Sequence, residues 1–88
     1  MGWTVKLSDE AKRDLKKLDK TTQKRITSFL LTRLQNRENP RASGKSLQGN
    51  FSGLWRYRVG DFRLLCRIED GELIILVIEV GHRKEIYK

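Results

Sequence analysis

Residues 54–68 constrain this chain more than any other stretch. Two segments of period two, 54–59 and 62–68, flank a Gly60-Asp61 pair. That pattern predicts an antiparallel hairpin closed by a two-residue II′ turn. Such a turn sets the register: Val59 faces Phe62, Arg58 faces Arg63, and Arg56 faces Leu65. Directly paired residues point to one side of a sheet. Trp55, Tyr57, Val59, Phe62, Leu64, Cys66 and Ile68 therefore share a face that needs a cover of helices. Arg56, Arg58, Arg63 and Arg67 share the other. Like charges opposite each other are destabilising, and no carboxylate alternates with them on these two strands. A face kept only for solvation would mix signs or use Lys. An anion site is the stronger reading, because three of the arginines converge at one hairpin end and a guanidinium grips phosphate bidentately.

The remaining chain supplies the cover. Residues 3–7 alternate as a short strand. Ser8 before Asp9 and Glu10 is a helix start, with a hydroxyl cap followed by acids at the positive end of the dipole. Ala11, Leu15 and Leu18 form its apolar stripe. Asp19 or Thr21 caps a second helix, whose stripe is Ile26, Phe29, Leu30 and Leu34. Pro40 and the Gly/Ser-containing stretch to residue 50 end it. After the hairpin, Asp70-Gly71 signals a type I′ turn into a third strand, 73–80, apolar on both faces as befits a central strand. The expected fold is α+β in the order β-α-α-β-β-β. A helical hairpin packs on one face of a small, mainly antiparallel four-stranded sheet. Residues 1–88 read as a single domain.

Charge separates the two halves. The chain carries 19 Lys+Arg against 11 Asp+Glu, a formal +8. Residues 1–45 hold twelve bases and five acids, whereas residues 46–88 hold seven and six. Lys is absent from 46–83, where every base is Arg. Lys12, Arg13, Lys16, Lys17, Lys20 and Lys24 thus form a diffuse basic coat suited to RNA, with Arg67 as a further contact. The sheet holds a focused arginine set. One Cys and one His exclude an intramolecular disulfide and a Cys- or His-based metal site, and no metal or cofactor is expected. No apolar run approaches the roughly 20 residues of a membrane span. Without a signal-like apolar segment, a cytoplasmic location is expected.

The pieces Leu47-Gln48-Gly49, residues 54–65 (LWRYRVGDFRLL) and residues 80–87 (VGHRKEIY) resemble the RelE/ParE toxin superfamily, specifically its RelE branch. The resemblance spans essentially the whole chain. It implies a RelE-like microbial RNase fold and the toxin of a type II toxin–antitoxin system. The implied activity is metal-independent cleavage of mRNA in the ribosomal A site, which inhibits translation. The 2′-hydroxyl attacks the adjacent phosphate, leaving a 2′,3′-cyclic phosphate and a 5′-hydroxyl. The implied site residues are Arg56, Arg58, Arg63, Arg83 and Tyr87. Implied partners are an acidic, RelB-like antitoxin and the 70S ribosome, with no membrane or small-molecule ligand.

One departure bears on mechanism. Well-studied members carry Lys on the first hairpin strand, where this chain has Arg56 and Arg58. Arginine stays protonated and cannot serve as a general base near neutrality. Tyr87 is then the base candidate, with base stacking or anchoring of the C-terminal segment as its other roles. His82, the chain's one imidazole and so a side-chain type suited to acid–base work near neutrality, is a secondary candidate. Trp55, Tyr57, Phe62 and Cys66 read as core. Competing functions are a ParE-like gyrase poison, a non-catalytic nucleic-acid-binding module, and a degraded toxin kept as an antitoxin-binding scaffold.

Overall fold

The computed structural model describes residues 3–34 and 39–82. Strand β1 (Thr4–Leu7) leads into helices α1 (Asp9–Lys16) and α2 (Lys20–Ser28). Ser8 caps α1, its Oγ accepting from the Ala11 amide at 3.0 Å. Asp19, not Thr21, caps α2 and accepts from the Thr22 amide. The second helix does not stay α-helical: residues Phe29–Leu34 form a π-helical turn, and Thr32 Oγ1 donates back to the Ser28 carbonyl at 2.6 Å. Hydroxyl back-bonding of this kind bends helices. The apolar stripe nevertheless holds, with Ile26, Leu30 and Leu34 buried and Phe29 half-buried.

Strands β2 (Lys45–Ser46), β3 (Trp55–Val59), β4 (Phe62–Glu69) and β5 (Ile74–His82) complete a five-stranded sheet of order β1-β5-β4-β3-β2. The expected four strands become five because Lys45 and Ser46 pair with Arg56 and Trp55. Two residues are too few to display a period. β1 runs parallel to β5, and the other pairs are antiparallel. As the apolar pattern required, β5 is interior.

The Gly60-Asp61 turn is as expected: Gly60 has φ +60, and Asp61 keeps a negative φ, as II′ geometry needs. The Asp70-Gly71 expectation fails. Glu69 pairs with Ile74, so four residues make the turn, and the left-handed residue is Leu73 at φ 54 rather than Gly71. The strand begins one residue later than its apolar pattern suggests and runs two further, to His82. Left-handed backbone costs a side-chain-bearing residue about 1–2 kcal/mol. Leu73 is 41% exposed and has little packing to lose. Leu73→Asn should therefore raise Tm by roughly 2–6 °C in thermal melts.

The core lies between the helices and one sheet face. Tyr57, Val59, Leu64, Cys66, Ile75, Val77 and Val80 meet Ala11, Ile26, Leu30 and Leu34 there. Burial pushes the Cys66 thiol far up, so it behaves as a small hydrophobe. Beyond Leu7 the edge of β5 passes to α1. Ser8 donates through its amide to the Val77 carbonyl and through Oγ to the Ile78 carbonyl, while Asp14 Oδ2 accepts from the Val80 amide at 3.0 Å. These contacts cover an otherwise open strand edge. Among the described residues, no helix is long and apolar enough to cross a membrane.

Candidate nucleic-acid interface

The hairpin register sets Arg58 opposite Arg63 and Arg56 opposite Leu65, as the turn length required. The three arginines differ in exposure. Arg58 is exposed, Arg56 half-buried, and Arg63 only 8% exposed. The β5 residue across from Arg63 is Gly81, so no side chain crowds that position from the third strand. Arg63 Nη1 donates to the Phe62 carbonyl at 3.3 Å. A guanidinium withdrawn from water keeps its charge and attracts an anion more strongly than a solvated one. Arg67 shares this face but sits four residues further along β4, about 13 Å away at ~3.3 Å per residue. Its Nε lies 4.0 Å from Glu69 Oε1. It is apart from the cluster.

His82 does not join the arginines. It pairs with Phe62, and the two rings meet edge-on at 5.6 Å on the helix-covered side. The cause is a bulge. Leu65 pairs with Glu79 but Cys66 with Val77, leaving Ile78 as an extra residue in β5. One extra residue reverses the alternation beyond it. Val80 and His82 thereby turn to the helix side, and Glu79 and Gly81 to the arginine side. Arg83 and Tyr87 lie outside the described residues. Lys12, Arg13, Lys16, Lys17, Lys20 and Lys24 are all exposed on the helical layer.

Glu79 places a carboxylate on β5, in the pair with Leu65. Burial raises its pKa, and Glu10 and Asp14, both on α1, push it higher. A carboxyl raised by folding binds its proton more tightly in the native state. Ionisation therefore costs stability above the ordinary carboxylate range, and protonation on acidification removes that cost. Glu79→Gln should raise Tm at neutral pH, with the advantage fading towards about pH 4.

Three basic residues beside the arginine face were not singled out by the sequence pattern. Arg33, Lys45, Arg56 and Arg58 line a hollow of about 310 Å³ between the end of α2 and the β2–β3 edge, with Phe29 and Gly44 also in its wall. A second hollow of about 420 Å³ shares Phe29, Arg33 and Arg58 and adds Arg25. Arg25, Phe29 and Arg33 recur every four residues, which was a readable helix-face signal. The loop before β2 is clamped in place. Trp55 Nε1 donates to the Ser43 carbonyl at 2.7 Å, and Tyr57 Oη donates to the Pro40 carbonyl at 2.6 Å. Arg41 grips Asp70 bidentately at 2.7 and 2.9 Å, holding that carboxyl below its usual range.

Residues 5–87 match the family model described as the ParE toxin of the type II toxin–antitoxin system parDE. Toxin RelG of Mycobacterium tuberculosis is 35% identical over 88 residues, covering 100% of this chain and 99% of the relative. Toxin RelE of the same organism is 31% identical over 84 residues, covering 96% and 84%. The solved toxin–antitoxin complex RelBE2 from M. tuberculosis contains a chain that superposes with a TM-score of 0.86 at 31% identity, covering 94% of this chain and 100% of that one. With the strand order, helical cover and arginine hairpin above, these likenesses assign the family: the chain belongs to the RelE/ParE superfamily of type II toxin–antitoxin toxins.

Proposed function

We propose that this toxin blocks translation as a ribosome-dependent endoribonuclease that cuts mRNA in the A site. The observation that carries this reading is the hairpin end where Arg58 faces Arg63 with Arg56 beside them on one sheet face. Attack of a 2′-hydroxyl on the neighbouring phosphorus forms the new P–O bond as the bond to the 5′-oxygen breaks. The products are a 2′,3′-cyclic phosphate and a 5′-hydroxyl. Negative charge on the phosphorane oxygens needs preorganised cationic donors, which Arg56, Arg58 and Arg63 supply. By the family resemblance, Arg83 adds a fourth. A base must take the 2′-proton and an acid must protonate the departing oxygen. The pairing of His82 with Phe62 leaves Tyr87, the base candidate of the family resemblance, as the group assigned that role. A hairpin-sized site cannot hold a long RNA by itself, so the ribosome provides positioning. The exposed helical lysines, and Arg67 on the sheet, face rRNA in this reading.

The toxin acts in the cytoplasm, as a single domain over residues 1–88 without metal or cofactor, and is held inactive by an acidic RelB-like antitoxin. The net +8 and the antitoxin-bound state of the RelBE2 relative support that partner. A ParE-like gyrase poison is the second reading, favoured by the parDE description of the matching family model. Incubation with translating ribosomes, and separately with gyrase and supercoiled DNA, decides between them. A-site cuts ending in cyclic phosphate are expected, with free RNA a poor substrate. Intact messages together with accumulated gyrase cleavage complexes would sink the nuclease reading.

A further inference from the structure

We propose that Arg25, Phe29, Arg33 and Lys45 form a second nucleotide subsite, which takes the phosphate and base of the nucleotide next to the scissile step. The inference rests on the nuclease reading and deepens it by extending the site around the β3 edge. Two adjoining hollows carry it. Both are lined by Phe29, Arg33 and Arg58; one adds Lys45 and Arg56, the other Arg25. Among the described residues no carboxylate lines either hollow, and none of Arg25, Arg33, Lys45 and Arg58 has an ion-pair partner. Cations gathered without a counter-charge repel one another, and a phosphate entering between them removes that cost.

Arg58 belongs to both the hairpin cluster and the hollows, so the two regions are continuous. An RNA strand with its scissile phosphate over Arg58 and Arg63 leads directly into the space before Arg33. Arg25 reaches the hairpin tip, its Nη1 standing 3.3 Å from where a Cβ on Gly60 would lie. The volumes of about 310 and 420 Å³ suit a single nucleotide, at the small end of ligand pockets. Phe29 decides between RNA and an acidic peptide. It is half-buried, meets Tyr57 edge-on at 5.7 Å, and lines both hollows between the two helix-borne arginines. A ring flanked by guanidiniums is a platform for a base, whereas a carboxylate peptide needs only the charges.

The test uses a fluorescein-labelled five-nucleotide RNA made uncleavable by a 2′-deoxy residue, titrated with the toxin at low salt. Arg33→Gln/Lys45→Gln should weaken binding tenfold or more and flatten the salt dependence of log K by about 1.4, at ~0.7 per phosphate contact on a single strand. Phe29→Leu, which removes the ring and keeps bulk, should weaken it at least fivefold. Lys6→Gln, exposed on β1 at the far edge of the sheet, is the control for net charge and should stay within twofold. On programmed ribosomes the double variant should raise KM at least tenfold with kcat little changed. Binding by Arg33→Gln/Lys45→Gln equal to that of Lys6→Gln overturns the subsite. So does a loss confined to an Asp/Glu-rich peptide with RNA binding intact. Failure of the unmodified toxin to cut ribosomal mRNA overturns the nuclease reading instead, and the oligonucleotide titration still decides whether the hollows bind RNA.

Discussion

If the toxin is the proposed nuclease, Arg63→Gln should lower the single-turnover rate of ribosomal mRNA cleavage by about two to three orders of magnitude, the range seen when one preorganised donor is removed from a developing oxyanion. The size of the effect follows from burial. Arg63 is 8% exposed and lies directly across from the exposed Arg58. Water screens the Arg58 charge, whereas a withdrawn guanidinium acts on an entering phosphate through a weaker dielectric. Arg58→Gln should therefore lose about tenfold, chiefly through binding. Arg58→Gln should leave the fold intact, because that side chain is exposed and makes no ion pair among the described residues. Thermal melts and single-turnover rates together separate chemistry from stability. Equal losses from Arg63 and Arg58 would contradict the burial argument.

Gly44→Ala should destabilise the protein by about 2–5 kcal/mol, the sum of a left-handed backbone cost and an overpacking cost. Gly44 has φ +83, and a Cβ there would collide with the Arg56 carbonyl oxygen and stand 2.5 Å from Trp55 Nε1. Neither neighbour is free to yield. The Arg56 carbonyl belongs to β3, and the Trp55 indole is tied to the Ser43 carbonyl at 2.7 Å with Arg41 lying 6.0 Å over its ring. The loop must lift, and Lys45 leaves its place opposite Arg56. A loss of this size is a large fraction of the ~5–15 kcal/mol that holds a domain folded. Gly49→Ala isolates the backbone share. Gly49 has φ +65 but open space around its Cβ position, so it should cost only about 1–2 kcal/mol. Denaturant titrations of the two variants check the difference. Equal costs would place the whole effect in the backbone and none in the contact.

Most features governed by short-range rules were legible, the turn after Glu69 being the exception. A two-residue turn leaves a hairpin no choice of register, so the arginine face and the apolar face both followed from Gly60-Asp61. Caps were similarly local: Ser8 and Asp19 each accept from an amide three residues on. What escaped depends on partners distant in sequence or on single-residue irregularities. Strand β2 is two residues long and exists only because Lys45 and Ser46 find the edge of β3. Ile78 is the clearest case. Unbroken alternation along β5 would place His82 on the arginine side, and one bulged residue, whose carbonyl is held by Ser8, moves it to the other. No local residue pattern announces that bulge. Arg25 and Arg33 escaped for another reason: Phe29 between them was assigned wholly to the core, although it both packs on Tyr57 and lines the open hollows.

The arginine face at the hairpin end is the central claim, and the triple variant Arg56→Gln/Arg58→Gln/Arg63→Gln tests it most directly. Its cleavage of mRNA on programmed ribosomes would be followed by mapping the new 3′ ends at the A-site codon and their cyclic phosphates. The account predicts A-site cuts by the unmodified toxin and their disappearance in a triple variant that remains folded. A triple variant that keeps both its RNA affinity and its cleavage would contradict it and move the site elsewhere.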